Sequence, residues 1–518
     1  MRSGAWSAIG AAAMLMIAAP SAGQRTLPPP ADASERALLP EVGDVLGGGR
    51  PDMKRLDALL TRLPRPTPLR GLVQLARAML IGQSNDYAGA VPLAEEALRL
   101  LPDQPQPKLL LAELLTFTGA PQRAADLWLA ASHQAPEIAR EGDAYSISAL
   151  IGRLIDLGDA TRARIVAARM GEIGMARLLA PDRADAAMAQ VKLLAEKGDW
   201  DGARRGLADV ARPNALKTLL VDNRYRSLWP AIEAQGGADL EPAQRRWFTA
   251  VRDEWQRDRN AETAVNYARL LASVDEYATV ARLFAPMFAG RKLELDDPQV
   301  WFLAPVVARA TAEIGRPADA RALLARLNAA PDADQTMRLN ASGNLANLSY
   351  LTQHWDEVVS ETATWLRIAK ELGPAVNSSA VLQVSSLRAC ALTKLGRTED
   401  AAPLVGDILL AQRASPQPAM TLFLCQGDLN RLRSLMIARL ADEDGRSWAL
   451  NVVQPGGASG KLPQEVAERQ MLDQLRRDPA VVTAAAKVGR ILPCPLASSL
   501  PSRFDPDGVD QPIAPDSI

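Results

Sequence analysis

The chain has 518 residues, 48% of them hydrophobic and only 4% aromatic. That is too apolar for a disordered protein, and with so much alanine it suggests helices packed closely through small side chains. Lys and Arg number 59 against 60 Asp and Glu, a net charge of −1. This balance excludes a basic field for nucleic acid and gives no sign of an acidic tail or a polybasic membrane anchor.

Taken in chain order, residues 1–23 read as an export signal. Arg2 supplies the positive end, Ala8 to Ala19 the apolar run, and Ser21-Ala22-Gly23 the small residues for cleavage before Gln24. The run is shorter than the roughly 20 apolar residues that a membrane-spanning helix needs, so cleavage is favoured over an uncleaved anchor. No later segment approaches that length, so no transmembrane segment is expected after cleavage. Residues 24–50, rich in Pro and Gly, read as a loose leader.

Residues 51–138 hold the clearest pattern. Shifting by 34 carries Ala78 onto Ala112, Ala90 onto Ala124, Ala97 onto Ala131 and Pro102 onto Pro136. With Tyr87 as the aromatic of the first copy, this resembles the tetratricopeptide repeat, a helix–turn–helix unit. Small residues suit the crossing of two helices because they let the backbones approach, and alanine is also the best helix former. Proline then ends the second helix.

A shorter signature runs from 119 on through 139–410, a Gly followed five residues later by Ala: Gly119/Ala124, Gly158/Ala163, Gly198/Ala203, Gly315/Ala320 and Gly396/Ala401. Glycine suits a left-handed turn at the end of the first helix. Two units replace Ala by Val with an aromatic three residues earlier, Tyr277/Val280 and Trp355/Val358. The spacings run 34, 39, 40, 77, 40, 38 and 43, and the 77 predicts a divergent helical pair over about 213–258. The resemblance implies an all-α, right-handed solenoid whose first helices line a concave, partner-binding face.

Residues 411–497 read as a C-terminal helical cap with a loop at 453–463 and a helix over 463–478; 498–518 read as a disordered tail. The stretch CQGDLNRLRSLMIARL followed by AAAKVGRI resembles the end of a group of exported bacterial repeat proteins; the export signal, with an Ala/Arg/Leu-rich usage that resembles a high-GC bacterium's, leads us to expect the periplasm or beyond. Three cysteines, Cys390, Cys425 and Cys494, allow one disulfide. Cys390 and Cys425 lie about one repeat apart, so a bridge is feasible, but buried inert thiols are the favoured reading.

Familiar catalytic chemistry is missing. The two histidines, His133 and His354, show no metal-ligand spacing, and no metal or cofactor is expected. PGGASGKL resembles a phosphate-binding loop, but Pro455 stands where that motif has Gly and Leu462 where it has Ser or Thr. Ser459 lacks the second Gly of a nucleophile elbow, because Lys461 stands there.

The best candidate contact unit is GNLANLSYL, in which Asn344, Asn347 and Tyr350 share a helical face. Asn344-Leu345-Ala346-Asn347 matches the family's Asn-Leu-Gly/Ala-Asn pattern, and related repeats use the second Asn to bond a ligand's backbone or terminal carboxylate. Asn266 and Arg269 take the same two positions in an earlier unit. The competing reading is that these amides only bridge neighbouring helices. The functional expectation is a non-catalytic scaffold that binds protein or peptide partners. The alternative is an accessory factor or enzyme of cell-envelope glycan processing.

Overall fold

The computed structural model describes residues 27–47, 52–84, 86–175, 180–237, 239–288, 298–330, 333–456 and 460–492. The export signal expected over 1–23, the tail expected over 498–518, Ser459 and Cys494 lie outside the described residues. Among the described residues all regular structure is helical apart from one antiparallel bridge, Asp222 with Gly489. No described helix is long and apolar enough to cross a membrane. The chain divides into two compact units, Met1–Leu179 and Ala180–Ile518.

Unit 1 contains α1 (Ala33–Gly47), α2 (Met53–Arg62), α3 (Pro68–Gln83), α4 (Tyr87–Leu100), α5 (Pro105–Phe117), α6 (Pro121–Gln134), α7 (Pro136–Arg140), α8 (Ala144–Asp156) and α9 (Ala160–Glu172). The leader expected over 24–50 is therefore helical across Ala33–Gly47. Leu38, Val42, Val45 and Leu46 form a stripe at helical spacing and bury against Leu56, Leu59 and Val73. Pro40 sits in this helix on the exposed side, and counting prolines hid the stripe. The pairs α3/α4, α5/α6 and α8/α9 pack side by side. Ala90, Ala94, Ala97, Ala124 and Ala131 are fully buried at their crossings.

Unit 2 contains α10 (Ala180–Glu196), α11 (Trp200–Gly206), α12 (Pro213–Val221), α13 (Trp229–Gly236), α14 (Glu241–Arg257), α15 (Ala261–Ser273), α16 (Tyr277–Phe284), α17 (Pro298–Glu313), α18 (Pro317–Asn328), α19 (Gln335–Leu351), α20 (Trp355–Leu372), α21 (Ser378–Lys394), α22 (Thr398–Ala411), α23 (Pro416–Gln426), α24 (Leu429–Ala441), α25 (Arg446–Val452), α26 (Pro463–Arg477) and α27 (Pro479–Val488). Most consecutive helices pack against each other through the unit, α14 to α25 without a break, as a solenoid of helix pairs requires. Where one divergent pair is expected over 213–258, the chain forms two short helices joined by the 3-10 turn Asn223–Leu228 and then the long α14.

One turn recurs through both units. Gly119, Gly158, Gly198, Gly315 and Gly396 all have positive φ, between 76° and 90°. The residue after each glycine donates its N–H five residues back, as Asp159 does to Leu154 O at 2.8 Å and Arg397 to Leu392 O at 2.8 Å. This bond closes the first helix in the Schellman manner. The alanine five residues after the glycine is buried in every case. The two Val units keep the turn without glycine: Asp275 (φ 63°) and Gln353 (φ 62°) hold the left-handed position, five residues before Val280 and Val358. A further copy sits at Gly427 (φ 74°), with Leu432 buried at the crossing.

The end of the chain returns to the irregular stretch of unit 2. Arg490 donates to Leu220 O (2.8 Å) and to Glu233 (2.7 Å), and lies 4.0 Å over the Trp229 ring. Ser447 and Arg224 both donate to the fully buried Asp222 carboxylate. Burial alone would raise the pKa of Asp222, but these hydrogen bonds and the Arg224 charge hold it below the usual carboxylate range. Only glycine fits at 489, because a Cβ there would stand 2.2 Å from Val221 O.

Cys390 on α21 and Cys425 on α23 form a disulfide across a Cα–Cα distance of 6.0 Å. This corrects the expectation of inert thiols. The repeat brings these two helices side by side, and their packing places the two Cβ atoms within bonding reach.

Candidate functional site

In unit 2 the first helices α15, α17 and α19 border a cavity of about 540 Å³. Its apolar wall includes Trp301, Phe302, Pro305 and Leu348. Its polar groups are Arg269, Arg309, the hydroxyls of Ser273 and Tyr277 and three amides, Asn340, Asn344 and Asn347, with no carboxylate among the lining residues. The three amides follow i, i+4, i+7 spacing on α19 and so form one stripe.

Repeat register explains the convergence. Arg269, Arg309 and Asn347 each stand six residues before a left-handed turn residue, Asp275, Gly315 and Gln353 respectively. One position of three successive units therefore delivers its side chain to one cavity. Arg309 was readable from this offset, since Gly315 is a marked turn. Asn340 was readable as the continuation of the amide stripe. Trp301 and Phe302 carry no periodic signal and were not foreseen.

The cavity's polar groups are unequally engaged. Asn344 donates its amide to Asn340 O at 2.7 Å, within its own helix, so its carbonyl oxygen is the end left for a ligand. Asn347 is exposed, and neither it nor Arg269 makes a hydrogen bond or ion pair with another described residue. Desolvation by neighbouring groups lowers the Arg269 pKa, yet a guanidinium stays charged at any physiological pH. Arg309 is held by Glu465 and lies 3.6 Å from Glu313. Desolvation works against its charge, but these carboxylates and Tyr277 outweigh it, and its pKa is raised.

The chain's own C-terminal segment packs beside this cavity. Lys461 N donates to the buried Glu313 at 2.7 Å, and Leu462 is buried in the core shared with α17 and α19. Burial, together with the hydrogen bond to Glu313, pushes the Glu465 carboxyl up to about 7. Tyr350, expected to share the binding face, does not line the cavity. It is buried, donates its hydroxyl to Glu468 and accepts from Gln464 at 3.3 Å. Its role is to hold α26. Burial first, and Glu468 second, raise its pKa. Asn266 is half-buried on α15 and is not among the cavity's lining residues. The candidate residues thus divide: Arg269, Asn344 and Asn347 meet at one cavity, while Tyr350 and Asn266 do not join them.

No protein-family profile matches this sequence, and no curated protein matches it either. Among solved structures, a chain from Naa15/Naa10 bound to HypK-THB aligns with 87% of this chain and 81% of its own length. The identity is 14% and the TM-score 0.25. At that score the likeness amounts to shared helix content, and nothing about function is taken from it.

Proposed function

We propose that the protein is a non-catalytic binding scaffold, exported from a bacterial cytoplasm, that takes a segment of a protein partner in the unit 2 cavity. The observation that carries this is the convergence of Arg269, which has no partner among the described residues, an exposed Asn347 and the Asn344 carbonyl on a 540 Å³ space with an apolar wall. Amides satisfy a peptide backbone, the guanidinium satisfies a carboxylate, and the wall accepts an apolar side chain. The tetratricopeptide-like pattern supports a concave peptide-binding face. The Cys390–Cys425 disulfide and the apolar N-terminal run support an oxidising destination.

A photo-crosslinking residue in place of Asn347 tests this in cells, with the same residue at the exposed Leu410 as control. A discrete protein adduct at 347 that is absent at 410 and weakened by Arg269→Ala is the expected result. Adducts of equal pattern at both positions, or no effect of Arg269→Ala in a folded protein, would remove the cavity from partner recognition.

A further inference from the structure

Unit 1 has its own cavity, small at about 60 Å³, between α3, α5, α6 and the start of α8. Its character is the reverse of the unit 2 cavity. Glu113, Asp143 and Glu141 line it together with Gln106, and no Lys, Arg or His does. Glu113 is more than nine-tenths buried. Its one hydrogen-bond contact among the described residues is with Ser146 Oγ at 3.3 Å, and that hydroxyl stands closer to Asp143, at 2.8 Å. The single hydroxyl proton therefore goes to Asp143, and the Glu113 carboxyl is left with no good donor. Gln106 adds a second acceptor: its Oε1 is buried with no hydrogen-bond partner. A buried carboxyl held by one long contact, beside a buried amide oxygen with no partner, leaves the cavity open to a donor group.

We propose that this cavity binds a primary alkylammonium group, the chemistry carried by the end of a lysine side chain. An ammonium offers three N–H donors and one positive charge, which suits Glu113, Gln106 and the nearby Asp143. The apolar walls, Met79, Leu110, Trp128 and Ile147, fit methylenes next to the ammonium. By the 10–15 Å³ that a water requires, the space holds about four to six water-sized groups, enough for an ammonium with two or three methylenes. A bare metal ion is a poor match, since among the described residues no group of three His, Cys, Asp or Glu is placed to hold one.

Binding is coupled to protonation. Burial, with a smaller contribution from the Asp143 charge, pushes the Glu113 carboxyl up to about 8. The titratable groups facing it are Asp143, which caps α8, and Glu141 at the rim, 3.7 Å from Arg140; α3 and α6 present only apolar residues to the cavity. At neutral pH the empty site holds a neutral acid. An arriving ammonium makes the ionised form the stable one, so the Glu113 proton leaves for solvent as the ion pair forms, and affinity rises from pH 6 to pH 8.

Calorimetry on the full chain tests the proposal, with n-propylammonium as probe and n-propanol as its neutral counterpart. Saturable propylammonium binding, at least tenfold tighter than propanol, is expected. Titrations in two buffers of different ionisation enthalpy should reveal release of close to one proton at pH 7. Glu113→Gln should weaken propylammonium at least tenfold and abolish the proton release. Nα-acetyl-lysine amide compared with putrescine then identifies the source: the tighter of the two assigns the site to a partner's lysine or to a free diamine. Equal binding of propanol, no saturable propylammonium binding, or a folded Glu113→Gln protein that binds as the wild type does would each overturn the proposal. The comparison with propanol needs no variant, so it decides even if Glu113→Gln fails to fold.

Discussion

Glu113 in unit 1 and Arg309 in unit 2 occupy the same place in their repeats, six residues before the glycine that closes the first helix, Gly119 and Gly315. One is a buried acid with no Lys, Arg or His beside it among the described residues. The other is a half-exposed cation held between two carboxylates. The frame that places them is the same, so the frame does not determine what each cavity binds. The side chain at one inward position does, and the neighbours it meets set its charge. The cavities differ in a second respect as well. The one in unit 2 has the chain's own C-terminal segment beside it, whereas the unit 1 cavity, as far as the described residues go, is lined by α3, α5, α6, α7, the turn after α7 and the start of α8.

The largest effect that sharpens this contrast is the pH dependence of stability in unit 1. A carboxyl raised to about 8 in the folded state, against an ordinary value near 4.5, adds stability that is fully present below pH 4.5 and is lost as pH rises to 8. Across that window the slope approaches about 1.4 kcal/mol per pH unit at most. Glu113→Gln keeps the shape and removes the titration. The difference between wild type and variant should therefore favour the variant by a few kcal/mol at pH 8 and vanish near pH 4. Urea titrations at several pH values, followed by hydrogen exchange in α5 and α8, would show it. A pH-independent difference would mean that Glu113 has a partner and that the two cavities are less opposed than their lining residues indicate.

The shared frame can be tested in the same way. Ala124 in unit 1 and Ala320 in unit 2 are both fully buried at equivalent crossings. Leucine at either site must force the helices apart, at a cost of about 1–3 kcal/mol. Comparable losses in denaturant midpoint would confirm one packing rule in both units. A large loss at one site and none at the other would restrict the repeat geometry to a single unit.

Much of that frame was legible in the sequence, because alanine, glycine and proline act through backbone geometry that recurs at a period. The glycine turns and buried alanines stand where the spacing placed them. Asp275 and Gln353 escaped because nothing in their chemistry advertises a left-handed backbone; only the Val280 and Val358 register reveals them. Of the candidate site, Asn344, Asn347 and Arg269 were legible as an inward stripe, but Tyr350 was misread. Its helical face is the inward one, yet its neighbour is α26, more than a hundred residues later in sequence. No periodic signal announces such a contact. Glu113 was passed over among many surface-like carboxylates, since its isolation follows from which side chains are absent around it.

Ligand selectivity gives the next contrast. Arg269→Ala should weaken an acidic, apolar peptide about tenfold, roughly 1.4 kcal/mol, and leave propylammonium binding unchanged. Glu113→Gln should do the reverse. Asn344→Ala with Asn347→Ala should also reduce peptide affinity by about tenfold, since each lost hydrogen bond contributes about 0.5–1.5 kcal/mol net. Fluorescence anisotropy with a labelled peptide, beside calorimetry with the amine, reads both arms. A single variant that weakened both ligands equally would join the two cavities into one response and break the comparison.

The smallest expected effect asks whether both units use glycine for the same reason. Gly158 in unit 1 and Gly396 in unit 2 have φ of 76° and 77°, and a Cβ at either meets nothing within 4 Å. Gly152 and Gly406 have equally open surroundings but lie inside α8 and α22, with no positive φ. Alanine at the two turn positions should therefore cost about 1–2 kcal/mol through backbone strain alone. At the two helix positions it should instead add about 0.5–1 kcal/mol, because glycine there carries only an entropic cost. Sterics cannot produce this change of sign, since all four sites are open. Midpoints of chemical denaturation for the four single variants would reveal it. If alanine at 158 or 396 were neutral, the turn there would not depend on its left-handed residue, which would in turn explain how Asp275 and Gln353 are tolerated at the same position.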